Sequence, residues 1–170
     1  MARIRDRDTR PERFVRRKLW ARGLRFRLRR RVSGVRPDIL FSSAKVAVFI
    51  DGCFWHGCPL HYAQPRTRKA FWAKKLCDNV SRDIRQTRSL RAAGLTVLRF
   101  WTHEVVERPE QVLTDVAAAV SGQVTRHSSS WRVLLVECLE NNEELRRLIS
   151  LDEEQRTERA RRNKNSYRRL

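Results

Sequence analysis

The sequence contains no long apolar run. Nothing in its 170 residues approaches the roughly 20 consecutive apolar side chains that cross a bilayer. Met1 is followed by arginine and aspartate rather than by the apolar stretch of a secretory signal. A membrane-spanning or exported class is set aside on that ground. The expected location is the cytoplasm, on the nucleoid if the cell is bacterial. Acidic charge is scarce: 19 Asp+Glu stand against 38 Lys+Arg, leaving a net charge of +19 and a pI near 11.4. Cysteine is limited to Cys53, Cys58, Cys77 and Cys138. In a reducing compartment these are thiols or metal ligands rather than disulfides. No internal repeat is present.

What the chain does have is enough apolar material, 41%, for one core, and a large excess of arginine concentrated in its N-terminal third. A charge so far from zero says little about fold and much about partners. Arginine offers phosphate two parallel hydrogen bonds from one planar fork. A nucleic-acid partner is the leading reading of the composition, with a ribosomal protein or an anionic-membrane binder as the alternatives.

Thr9-Arg10-Pro11-Glu12 predicts a helix start: Thr9 caps, Pro11 suits the first turn, and Glu12 stands where a capping box needs it. That helix should reach about Ala21 and stop at Gly23. Leu24 to Arg29 alternates apolar and basic residues, which predicts a half-buried strand with an arginine face carrying Arg25 and Arg27. Short strands are expected at 37–41 and 46–50, the second continuous and apolar as in a central strand. Residues 51–66 should be irregular. Two helices, about 67–77 and 79–93, should follow, then a strand at 95–100 and a helix from Pro109 to Val120. The expected order is α-β-β-β-α-α-β-α, a mixed sheet flanked by helices in the α/β class. Residues 1–122 form the expected domain and 123–130 a linker. Residues 131–170 form a mostly helical, charged extension without an assigned role; partner docking and extra DNA affinity are both open to it.

The chemistry is concentrated in Asp51-Gly52-Cys53-Phe54-Trp55-His56-Gly57-Cys58-Pro59-Leu60-His61. Cys53, Cys58 and His61 are thiolate and imidazole ligands of the kind zinc takes, and a closed tetrahedron needs a fourth, for which His103 is the candidate. The bland alternative is buried cysteine with incidental histidine. Cys77 and Cys138 read as core residues. Phe54 and Trp55 either wedge into DNA or cap the loop against the core; Trp72 has the same two readings. Asp38 and Asp51, with the Ile50 carbonyl, would make an oxygen-rich pocket suited to Mg²⁺ rather than zinc. Glu12 could complete the acidic cluster or merely close the capping box. His56 could be a general base or a zinc ligand. Asp83, in Asn79-Val80-Ser81-Arg82-Asp83, could orient His56 or lie on a solvated helix face.

In their order along the chain, the segments 8–12 (Asp-Thr-Arg-Pro-Glu), 23–27, 36–39 (Arg-Pro-Asp-Ile), 48–59, 71–72, 79–83 and 94–101 resemble the very-short-patch repair (Vsr) mismatch endonucleases. The likeness spans about residues 3–120. It implies a restriction-endonuclease-like fold of the PD-(D/E)xK type with a zinc-bound loop. It also implies a nick 5′ to the thymine of a T:G mismatch, in double-stranded DNA where 5-methylcytosine has deaminated. By this resemblance Asp38 holds catalytic Mg²⁺ beside the Ile50 carbonyl, His56 is the catalytic histidine, and Glu12 is the first-helix glutamate. Phe54, Trp55 and Trp72 would intercalate, with Arg25, Arg27, Asn79 and Arg82 also on DNA. Cys53, Cys58, His61 and His103 would bind structural Zn²⁺. A monomer is expected, with other mismatch-repair proteins as further candidate partners.

Three departures carry expectations of their own. Well-known members have histidine where Asp51 stands, so Asp51 is expected to add negative charge at the magnesium. The zinc set is Cys2His2 rather than cysteine-richer, with a one-residue offset at His61. Members usually carry more residues before Met1-Ala2-Arg3-Ile4, a segment expected to help clamp DNA, so weaker binding or an upstream start is expected here. The competing functions are a non-catalytic, zinc-stabilised DNA-binding module and a generic basic nucleic-acid-binding protein.

Overall fold

The computed structural model describes residues 8–123. The expected linker (apart from Gln123), the extension 131–170, Cys138 and the first seven residues lie outside the described residues. The elements are α1 (Arg10–Ala21), β1 (Ile39–Phe41), β2 (Val46–Asp51), α2 (Lys69–Ala92), β3 (Thr96–Trp101), α3 (Thr102–Glu107) and α4 (Pro109–Val120). β1 and β2 pair antiparallel, with Ile39 opposite Val48; β2 and β3 pair parallel, with Phe49 opposite Arg99. The sheet is therefore mixed, in the order β1-β2-β3, and helices cover it, as expected. Among the described residues no helix is long and apolar enough to cross a membrane.

Alternation along the strands sends side chains to two faces. Ile39, Phe41, Val46, Val48, Ile50, Leu98 and Phe100 point to one face. They are buried against Val15 and Leu19 of α1, Val105 of α3, and Val112, Leu113 and Val116 of α4. Leu40, Ala47, Phe49 and Val97 point to the other, against Leu90 of α2. Asp38, Asp51 and Arg99 share the parity of this second face. The polar site is thus built where the α2 face of the sheet leaves its apolar core.

Four expectations are corrected. Leu24–Arg29 is not a strand: it makes one isolated bridge, Arg27 to Leu40, and Arg29 then turns at φ +59°. The alternation also fails at Leu28, which is exposed rather than inward. The helices expected at 67–77 and 79–93 are one 24-residue helix, α2. Nothing at Asp78 breaks the ladder, since it has a backbone N–H and Lys74 reaches it one turn away at 3.7 Å. α3 was not foreseen; it starts directly after β3, where Glu104 accepts from the Trp101 backbone N–H at 2.7 Å. The expected eight-element order accordingly becomes α-β-β-α-β-α-α.

Candidate active site

α1 begins as read, with Thr9 and Glu12 in a reciprocal capping box. Glu12 does more than cap: it is 4% exposed, receives Arg16 Nη2 at 2.8 Å, and acts electrostatically on Asp38. The same Arg16 donates to the Asp38 carbonyl at 3.3 Å and to Asp8 at 2.5 Å. Sequence reading missed Arg16, although it stands four residues after Glu12, the spacing of a helical ion pair.

Asp38 precedes β1 and extends its ladder with a side chain. Its backbone N–H bonds the Val48 carbonyl at 3.1 Å, and its Oδ2 accepts from the Ile50 N–H at 2.8 Å. In an extended strand the N–H and C=O of one residue point to the same side. The Ile50 carbonyl therefore faces the Asp38 side chain, beyond the last β1 pair. Burial pushes the Asp38 pKa from 3.8 to about 6; Glu12 and Asp51 add to the rise, against the Ile50 hydrogen bond and Arg16. A half-buried carboxyl among carboxylates, on the side to which the Ile50 carbonyl points, is a donor set that could hold a hard divalent cation.

Asp51 ends β2 with both oxygens held by Arg99, at 2.7 Å (Nε to Oδ2) and 2.6 Å (Nη2 to Oδ1). The negative charge that Asp51 is expected to add at a magnesium is thus paired with a buried guanidinium, and the ligand atoms of Asp51, His56 and Asp83 also lie within 4.8 Å of one another, a second group able to hold a cation. Asp83, on α2, is 2% exposed rather than on a solvated face. Its Oδ2 lies 2.5 Å from His56 Nδ1, and Asp51 Oδ1 lies 3.5 Å from the same nitrogen. Burial alone would lower the His56 pKa; the Asp83 hydrogen bond and the Asp51 charge outweigh it, and the net shift is upward. For Asp83, burial is outweighed by His56 and Arg99, and its pKa falls. The geometry separates His56 from the zinc candidates and gives it two carboxylate neighbours.

The four zinc candidates converge. The potential donor atoms of Cys53, Cys58, His61 and His103 lie within 4.8 Å of one another. Cys53 Sγ to His103 Nδ1 is 3.3 Å, Cys58 Sγ to His103 Nδ1 is 3.5 Å, and Cys58 Sγ to His61 Nδ1 is 3.6 Å. Tetrahedral zinc bonds of roughly 2.3 Å to sulfur and 2.05 Å to nitrogen put S and N about 3.6 Å apart, so the residues fit the ion. Burial and neighbouring His61 lower the His103 pKa, which favours the neutral, ligating imidazole. Leu76, Cys77, Val80 and Trp101 pack with Cys58 beneath the loop, and Cys77 is a core residue as expected. Gly57 is required here: its φ is +71°, and a Cβ would meet Leu76 Cδ1 at 2.9 Å.

Above the loop Phe54, Trp55 and Trp72 form one half-buried aromatic cluster. The ring centroids are 5.1 Å apart for Phe54–Trp55, 5.3 Å for Phe54–Trp72 and 5.9 Å for Trp55–Trp72. Asn79, expected on DNA, is buried and donates to the Trp55 carbonyl at 2.7 Å, so it also braces this loop. Arg82 is exposed, its Nε 3.7 Å from Asp83. Arg25 is exposed but committed: its guanidinium lies 4.1 Å from the Trp20 ring centroid and bonds the Trp20 carbonyl at 2.9 Å. Arg27 is exposed and contributes its backbone to the bridge with Leu40. The arginines that line the cleft of about 410 Å³ containing Asp38 and Glu12 are instead Arg16, Arg29, Arg31 and Arg36.

Comparison with known proteins finds a family model and several relatives that match this chain. Residues 1–62 match the family model described as DNA mismatch endonuclease Vsr. The type II nicking enzyme V.NaeI of Lentzea aerocolonigenes is 46% identical over 112 residues, covering 63% of this chain and 68% of that protein. The DNA mismatch endonuclease Vsr of Escherichia coli (strain K12) is 37% identical over 119 residues, covering 69% of this chain and 74% of that protein. Among solved structures, the catalytic domain of homing endonuclease I-Bth0305I aligns with a TM-score of 0.48 and 19% identity, over 69% of this chain and all of that one.

Proposed function

This chain belongs to the Vsr family of DNA endonucleases, and we propose that it nicks one strand of duplex DNA at a T:G mismatch in a Mg²⁺-dependent hydrolysis. The observation that carries the reading is Asp38: a half-buried carboxyl on the cleft with its pKa raised to about 6, beside Glu12 and the Ile50 N–H. Such a group is costly until a cation joins it. Asp38 and the Ile50 carbonyl would hold the Mg²⁺, with Glu12 in reach of its hydration shell. A hard cation there would supply charge stabilisation at the scissile phosphate and acidify a bound water. His56 is the proposed general base: Asp83 holds Nδ1 at 2.5 Å, which leaves Nε2 for the attacking water.

The zinc site would keep the loop 53–61 rigid, so that Phe54, Trp55 and Trp72 can enter the base stack beside the mismatch. A mispaired step is already weakened, which lowers the cost of unstacking it. Arg29, Arg31 and Arg36, on the cleft with Asp38, would take backbone phosphates. All of these groups lie in one chain, which supports action as a monomer. That several relatives are named type II nicking enzymes supports a single-strand cut rather than a double-strand break.

The test uses duplexes that differ by one T:G pair, each strand labelled, with Mg²⁺ present or omitted. Nicking of the thymine strand of the mismatched duplex alone, and only with Mg²⁺, is the expected result. Asp38→Ala should abolish it while mismatch binding persists. Mismatch binding without any cleavage by the unaltered protein would favour the non-catalytic module. Equal binding to matched and mismatched duplex would leave only a basic nucleic-acid binder.

A further inference from the structure

The roles proposed above leave Arg99 without one. It stands in β3, opposite Phe49 of β2, with its side chain 2% exposed and its guanidinium 4.3 Å from the Phe49 ring centroid. From that face of the sheet it grips Asp51 through Nε and Nη2 at 2.7 and 2.6 Å, and Nη2 also lies 3.2 Å from Asp83 Oδ1. The two carboxylates it holds are the two beside His56 Nδ1, Asp83 at 2.5 Å and Asp51 at 3.5 Å. Asp83 divides its oxygens, Oδ2 to His56 and Oδ1 toward Arg99, so the arginine fixes the plane in which the carboxylate meets the imidazole. The Asp51 carbonyl is in turn held by Thr102 Oγ1 at 3.1 Å.

We infer that Arg99 is a positioning residue of the nuclease: by bridging Asp51 and Asp83 it sets the orientation of the His56 imidazole. The inference rests on the reading of His56 as the general base. It also gives Asp51 a task other than ligating a cation. Stability alone is a poor reason for such a cluster, because well-packed apolar side chains usually serve as well as a buried ion pair. Every other position of β3 except its first residue, Thr96, is apolar. A planar fork that can hold two carboxylates at fixed angles is what lysine or an apolar residue would not provide.

The experiment compares the zinc-loaded full chain with Arg99→Lys, and with a double variant, Asp51→Asn/Arg99→Met, that removes the buried pair together. Three quantities are read: the single-turnover nicking rate at saturating protein, the Kd for the mismatched duplex, and the NMR resonance of the His56 Nδ1 proton, assigned by its loss in His56→Gln. In both variants the rate should fall on the order of 100-fold, the cost of displacing a reacting group by about 1 Å. The Kd should stay unchanged and the downfield Nδ1 proton should broaden or move. A folded variant that keeps both the wild-type rate and the wild-type proton signal overturns the inference, because Arg99 then only fills space. If the double variant does not fold, Arg99→Lys decides by the same readouts. If the unaltered protein nicks no duplex, the general-base reading falls by itself. The imidazole proton then decides alone: unchanged in Arg99→Lys, it overturns the role of Arg99; lost, it supports it.

Discussion

Asp38 binds its proton more tightly in the folded chain than in the unfolded one, with a pKa of about 6 against 3.8. Below pH 3.8 the carboxyl is protonated in both states and costs nothing. Between the two values stability falls as pH rises, and above pH 6 the loss levels off at about 3 kcal/mol, from roughly 1.36 kcal/mol per unit. Asp38→Asn keeps an oxygen for the Ile50 N–H and removes the charge. It should therefore raise thermal stability at pH 8 without added Mg²⁺, by roughly 1–3 kcal/mol, and the gain should vanish below pH 4. Mg²⁺ should raise the Tm of the unaltered protein and leave Asp38→Asn unmoved. A variant less stable than wild type at pH 8 would show that the carboxylate is not strained. His56, raised above 6.5, is a base only when neutral, so nicking should climb as pH rises through a value above 6.5. A plateau reached below pH 6 would contradict that assignment. The sequence offered Asp83 as a partner of His56 or as part of a solvated helix face, and the structure brings the two side chains to 2.5 Å. Arg99 was not legible, yet it left a trace: a single cation in the apolar run Val97-Leu98-Arg99-Phe100-Trp101, which a strand buried on both faces can hold only beside an acid.

Among the elements, the loop between β2 and α2 has little regular structure of its own, and its shape depends on what crosses it. The brace from Asn79 and the close approach of Gly57 to Leu76 hold it, and four candidate zinc donors converge on it. Cys58→Ser should lower the zinc content measured on the purified protein. It should also weaken mismatch binding by about 1–3 kcal/mol, the scale of one lost aromatic–base stack, and Trp72→Ala should do the same with zinc retained. Loss of zinc with undiminished mismatch preference would separate the loop from recognition. Elements with local signals were readable: the capping box fixed the start of α1, and Pro109 the start of α4. The strand at Leu24–Arg29 was misread because an alternating pattern needs a partner ladder, and here only Arg27 finds one. The candidate zinc donors were readable by type, but that His103 rather than His56 joins Cys53, Cys58 and His61 depended on where β3 delivers its C-terminal end.

At the scale of the described residues, four arginines, Arg16, Arg29, Arg31 and Arg36, line the cleft that holds Asp38. The mixed sheet could be read from the order of apolar runs, but not which arginines line the cleft. That division is made by the turn at Ser33-Gly34, where φ is +50° and +77°. It brings Arg31 and Arg36 to the Asp38 cleft, while Arg25 remains stacked on Trp20. Each arginine that neutralises a DNA phosphate releases counterions, so the slope of log K against log salt counts them, at about 0.9 per contact. Replacing Arg29, Arg31 and Arg36 together by glutamine should make that slope shallower by about 2.7. Arg22, which pairs with Glu110 and does not line the cleft, should leave it unchanged when replaced alone. Because the three residues border the cleft rather than the proposed wedge, the preference for mismatched over matched duplex should survive while affinity for both falls together. An unchanged slope would mean that the phosphates run elsewhere, and a collapse of mismatch preference would mean that these arginines act at the lesion itself.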